Sequence, residues 1–67
     1  MITVRVNGKL MKLSTSMKIF DLLQFLKVNS QHVAVAHNGE VVQAPDLMCI
    51  VVHDGDEVEI VRPVGGG

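Results

Sequence analysis

Few side chains in this sequence could do chemistry, and they are scattered. His32, His37 and His53 are dispersed, and none stands on the predicted helix at an i, i+4 spacing with another ligand type. A zinc site needs three or four convergent ligands, so no metal is assigned and the three read as partly exposed residues at strand ends. Cys49 lies in the apolar run "LMCIVV" with no base near it in sequence. It reads as a buried structural thiol, and one cysteine with dispersed histidines does not make a nucleophilic triad. Gly8-Lys9 lacks the upstream glycine and the following Ser or Thr of a phosphate loop. Asp54, Asp56 and Glu57 lack the ligand spacing of a calcium loop and read as a solvated turn. No catalytic residue is assigned, and the domain is expected not to be an enzyme.

One reactive group remains, at the end of "EIVRPVGGG". Pro63 has no N–H and stops strand pairing, so residues 63–67 are expected to form a flexible glycine tail on a domain spanning 1–62. A terminal carboxylate has a pKa of about 3.5, is ionised at pH 7, and can attack the α-phosphate of ATP. Gly65, Gly66 and Gly67, after Val64, would let the backbone enter a channel where any Cβ would clash. Ordering each residue costs about 1–2 kcal/mol of backbone entropy. The tail cannot recover that alone, so affinity must come from a folded docking surface. Val61 and Arg62 beside the tail are the candidates, with Arg5 and Thr3 on the same exposed face.

The elements that must position this terminus follow from patterning. "ITVRVNGKLMKL" alternates apolar and polar residues around Asn7-Gly8, a type I′ hairpin signal, with Leu10–Leu13 as the returning strand. Ile19, Leu22, Leu23 and Leu26 recur at i, i+3, i+4 and i+7, one face of a helix of about ten residues. Ser14, Thr15 or Ser16 could cap its start, with Asp21 favouring the dipole; Phe20 and Phe25 flank the stripe. "HVAVAHNGEVV" supplies a third strand, a second Asn-Gly turn and a short fourth strand. Pro45-Asp46 marks a turn, and Asp54-Gly55 precedes a last strand from Glu57 to about Arg62.

One helix can cover only one face of a small sheet. Its stripe should meet Ile2, Val4, Val6, Val58 and Ile60, which places the first and last strands side by side in the centre. The expected class is therefore α+β: a β-grasp, ubiquitin-like mixed sheet of four to five strands on one helix, with the other sheet face uncovered.

Sixty-seven residues hold one domain. Six basic and seven acidic residues, net charge −1, give no basic footprint for nucleic acid. No apolar run approaches a membrane span, the N-terminus does not read as a signal peptide, and one cysteine excludes an internal disulfide. A cytoplasmic protein, monomeric when free, is expected.

"VNG", "IFDLLQFL", "VAVAHNGEVV" and "DGDEVEIVRPVGGG" together resemble the ThiS sulfur-carrier family of thiamine biosynthesis over essentially the whole chain. The terminal Gly-Gly after "GDEVEIVRPV" is the most specific piece. The resemblance implies that a ThiF-like adenylyltransferase, holding Mg-ATP, joins the Gly67 carboxylate to AMP as an acyl-adenylate. A cysteine desulfurase or other sulfur donor then replaces AMP to leave a thiocarboxylate, and a ThiG-like thiazole synthase takes the sulfur; no cofactor stays bound to the chain. The small subunit of molybdopterin synthase and the ubiquitin-related modifiers share the plan, so molybdopterin synthesis or conjugation through Gly67 are the alternative outputs. Relatives often carry Thr or Ser where Lys18 stands, forming a capping box with the acid at Asp21. Lys18 cannot cap, so the helix start is expected to shift to Ser16 or to be less well fixed.

Overall fold

In a computed structural model, residues 1–62 are described, and the expected tail, 63–67, lies outside them. Strands β1 (Ile2–Val6) and β2 (Lys9–Leu13) form an antiparallel hairpin, in register from Ile2↔Leu13 to Val6↔Lys9. Asn7 (φ 50°) and Gly8 (φ 84°) turn it, both in the left-handed region that a I′ turn requires. Asn38 (φ 50°) and Gly39 (φ 88°) repeat the device between β4 (Ala34–His37) and β5 (Glu40–Val42).

The helix differs from the sequence expectation. A two-residue strand, β3 (Met17–Lys18), leads into α1 (Ile19–Phe25), which has seven residues rather than about ten. Lys18 occupies the N-cap position without a side-chain cap, so neither Ser14, Thr15 nor Ser16 starts the helix. The start is fixed by tertiary pairing instead. β3 runs antiparallel to β6 (Val51–Val52), with Met17↔Val52 and Lys18↔Val51, and the Ile19 N–H donates to the Ile50 carbonyl at 2.9 Å. A backbone acceptor from a distant segment thus satisfies one of the N–H groups that a helix start leaves free. At the other end, the Val28 N–H donates to Leu23 O (2.9 Å) and the Lys27 N–H to Gln24 O (3.0 Å), with Lys27 at φ 59°. This is a Schellman closure, built here without glycine. So short a helix is not stable alone; its buried Ile19, Leu22 and Leu23 hold it to the sheet.

The last strand, β7 (Glu57–Val61), enters between the two hairpins, giving the sheet order β2-β1-β7-β4-β5. It runs parallel to β1 (Arg5↔Glu57, Val6↔Val58) and antiparallel to β4 (Ala34↔Val61 through His37↔Val58). Val4, Val6, Leu13, Val35, Val42 and Val58 bring the sheet's inner face against the three helix residues. Leu47, from the 3-10 segment Ala44–Met48, and Val52 close the core. Each such side chain stabilises the fold by about 1.5–3 kcal/mol on burial. Ile2, Leu26 and Ile60, expected inside, pack at its margin. A five-strand mixed sheet over one helix, with the first and last strands parallel at its middle, is the β-grasp architecture. Among the described residues no helix is long and apolar enough to cross a membrane.

Candidate functional site

Strand alternation assigns the uncovered face without ambiguity. Val58 and Ile60 face the helix, so Glu57, Glu59 and Val61 face outward. Cross-strand partners share a face, so the register puts Ala34 and Ala36 beside Val61 and Glu59. Val41 follows opposite Ala36 on β5. Ala34, Ala36, Val41 and Val61, with Glu59 at their border, line a shallow apolar groove of about 150 Å³. Val41 and Val61 are 73% and 57% exposed, unusual for β-branched apolar residues in a monomer's sheet.

Of the docking candidates, Val61 lies in this groove and Arg62 directly follows it. Arg5 and Thr3 share the outer face but stand at the other end of β7. Arg5 pairs with Glu57, four residues and about 13 Å before Val61 at roughly 3.3 Å per residue. Thr3 is half-buried, and its N–H donates to Asp54 Oδ1 at 2.7 Å. The assignments to Gly67, Gly66, Gly65 and Val64 fall outside the described residues.

Ala34, Ala36 and Val41 were not among the sequence candidates. Their signal was present: "VAVA" is apolar on both faces, whereas a single helix can bury only one. An apolar residue on the uncovered face is therefore a surface feature.

The two hairpin asparagines do more than turn the chain. Asn7 Oδ1 accepts from the Ile60 N–H at 2.7 Å, and Asn7 Nδ2 donates to the Ile60 carbonyl at 3.2 Å. Asn38 Oδ1 accepts from the Glu57 N–H at 2.8 Å, while the Asn38 N–H donates to Glu57 O at 2.8 Å. β7 is thus gripped by side chains near both ends, beyond its two registered pairs with β1.

The acidic turn before β7 is exposed at Asp54 and Glu57, as expected, and it is also tied to the sheet by hydrogen bonds. Asp54 caps the Thr3 N–H, the Gly55 N–H donates to Thr3 O at 2.8 Å, and the His53 N–H donates to Asp56 Oδ2 at 2.9 Å. His37 Nε2 also reaches Asp56 Oδ2 at 2.8 Å, both side chains being half-buried. Burial pushes the Asp56 carboxyl up, but the His53 N–H and the His37 and Asn38 side chains outweigh it and hold the pKa below the usual aspartate value. The site is a joint between β1, β4 and β7.

Cys49 also departs from expectation: it is exposed, with Sγ 4.0 Å from the Pro45 carbonyl. It terminates the 3-10 segment, whose inward position belongs to Leu47, and β6 covers only Val51–Val52 of the apolar run. His32 and His53 are exposed. Among the described residues no three His, Cys, Asp or Glu side chains group as a metal site.

Chemically, the described residues offer a strand paired on both sides, an apolar groove at its end, and no reactive cluster. Comparison with known proteins agrees with the architecture. A solved structure of the thiamine biosynthesis protein ThiS from Geobacter metallireducens superposes with a TM-score of 0.88 at 36% identity, covering 98% of this chain and 100% of that one. Thiazole synthase of Paramagnetospirillum magneticum is 42% identical over 62 residues, 92% of this chain, which spans only 19% of that protein's length. The uncharacterized protein ycf40 of Porphyra purpurea is 30% identical over 66 residues, 98% of this chain and 93% of that one. The ThiS family model matches residues 4–67, and the chain belongs to the ThiS family.

Proposed function

We propose that this protein is a cytoplasmic sulfur carrier for thiazole formation in thiamine biosynthesis, a protein co-substrate whose chemistry is done by its partners. What carries the reading is the apolar groove that ends at Val61, two residues before the sequence Pro63-Val64-Gly65-Gly66-Gly67. A partner docked on that groove stands next to the segment it must receive.

In this scheme a carboxylate oxygen of Gly67 attacks the α-phosphorus of Mg-ATP bound to a ThiF-like adenylyltransferase and expels pyrophosphate. The acyl-adenylate then loses AMP to a persulfide sulfur supplied through a cysteine desulfurase. A partner thiol cleaves the resulting S–S bond, leaving the thiocarboxylate and a disulfide. A ThiG-like thiazole synthase accepts that sulfur. The likeness of this chain to part of a protein named thiazole synthase supports that pairing. This chain supplies one carboxylate and a docking surface.

Intact-protein mass spectrometry after incubation with the adenylyltransferase, ATP and a sulfur source tests the scheme. One sulfur-for-oxygen exchange at Gly67, lost on deletion of Gly67, is expected. Larger conjugates would point to a modifier instead, and an unchanged mass with active enzyme would refute the carrier reading. Delivery of the sulfur to thiazole synthase rather than to molybdopterin synthase, assayed with each purified acceptor, decides the pathway.

A further inference from the structure

Lys27, His32 and Arg62 line one open hollow together with Asn29 and Val33, at the end of the sheet where the chain leaves β7. They arrive from three elements. Lys27 sits in the Schellman turn closing α1, His32 ends the 3-10 segment Ser30–His32, and Arg62 follows β7. Asn29 is already engaged, its Oδ1 accepting from the Gln31 N–H at 2.9 Å.

The charges are distributed unevenly along β7. At its start, Glu57 stands beside Arg5 in the register, and Asp54 and Asp56 serve as acceptors for Thr3, His53 and His37. At its end two fixed cations share a hollow, and neither Lys27 nor Arg62 forms an ion pair with a described residue; the one such pair is His37–Asp56. Lys27 and Arg62 thus bring two cations without a described ionic partner into one hollow, at the end of β7 that leads toward the terminus.

We infer that this end of the molecule, formed by Lys27 and Arg62, docks against a carboxylate-bearing patch on the adenylating enzyme, beside the mouth that receives the terminus. The inference rests on the carrier reading. Carboxylates fit best because an arginine guanidinium donates two parallel N–H bonds to one. Two fixed cations are too few to track a nucleic-acid backbone. A rim pair of this kind steers encounter and orients the partner more than it adds affinity, which suits a carrier that must leave after each transfer.

The test uses the full chain and the ThiF-like adenylyltransferase of the same organism. Pyrophosphate release is followed against carrier concentration from about 0.03 to 0.3 M salt, a range over which screening changes strongly. For wild type, KM for the carrier rises with salt. The double variant Lys27→Glu/Arg62→Glu is expected to raise KM at low salt by about tenfold or more and to lose that salt dependence, with kcat nearly unchanged. Lys27→Arg/Arg62→Lys preserves both charges and is expected to keep the wild-type salt dependence. Both positions are exposed, and equal thermal unfolding of the variants confirms folding. If wild type is adenylated but the reversed variant shows the same KM and salt slope, the docking inference is overturned while the carrier reading stands. If wild type is not adenylated by active enzyme, both fall.

Discussion

The double hydrogen bond from Asn7 to Ile60 makes a sharp demand on the fold. β1 and β7 are registered at only two residue pairs, and the Asn7 amide extends the ladder by imitating a peptide group. Asn7→Gly removes the amide but keeps the left-handed backbone that the turn requires, because glycine adopts φ 50° freely. Two lost bonds at a net 0.5–1.5 kcal/mol each give about 1–3 kcal/mol. For a domain of this size that corresponds to a fall in Tm of roughly 4–24 °C, with the middle of the range expected. Asn7→Asp keeps an acceptor for the Ile60 N–H but sets a carboxylate against the Ile60 carbonyl, so it should fall between glycine and wild type. Asn38→Gly removes one strong side-chain bond, to the Glu57 N–H, and should cost about 0.5–1.5 kcal/mol. Urea unfolding gives the energies, and amide exchange at Ile60 reports whether the loss is local to the end of β7. An Asn7→Gly protein as stable as wild type, with Ile60 equally protected, would show that the backbone ladder alone holds β7 and would refute this account.

Leu22→Ala deletes a fully buried helix side chain and should cost about 2–5 kcal/mol, leaving the domain marginal or unfolded at 37 °C by circular dichroism. Asp56 has its pKa lowered in the fold. Its contribution is therefore present above the unfolded aspartate pKa of about 3.9 and lost as pH falls through the folded value. Asp56→Asn should lower stability at pH 6 and flatten the acid-side decline, read from urea midpoints between about pH 2 and 6. Val41→Ser with Val61→Ser removes the exposed apolar groove; a loss of roughly 1–2 kcal/mol of docking, about tenfold in the carrier's KM for adenylation, is expected. Thermal unfolding of that variant should stay close to wild type, and an unchanged KM would remove the groove from the docking surface.

The parts of the fold readable in advance were those where one local rule dominates. Asn7-Gly8 and Asn38-Gly39 specify their turns by backbone sterics, and Val4, Val6, Val35 and Val58 reveal their buried side by period-two alternation. The parts that escaped were set by partners distant in sequence. Nothing local at Met17-Lys18 announces a strand, because that strand exists only through Val51-Val52, and the helix start depends on the Ile50 carbonyl. Cys49 was misplaced for a related reason: apolar runs do not distinguish a strand from the exposed end of a 3-10 turn. On the outer sheet face, the place of Val61 was readable from strand alternation, whereas Ala34, Ala36 and Val41 needed the β4–β7 and β4–β5 registers.

Register gives the asparagine clamps their functional weight. On β7 a slip of one residue exchanges the two faces. Ile60 would then leave the core margin for the outer face, and Val61 would leave the groove. Asn7 bonds both polar groups of Ile60, and Asn38 bonds both polar groups of Glu57. A slipped strand would present each clamp with the neighbouring residue, whose N–H and C=O point the opposite way. The side chains that form the hairpin turns therefore also select which β7 residues face outward. Val61 is placed beside Ala34 and Val41, with Arg62 next in line toward the terminus, because two turn residues on different hairpins agree on a single alignment of the strand between them.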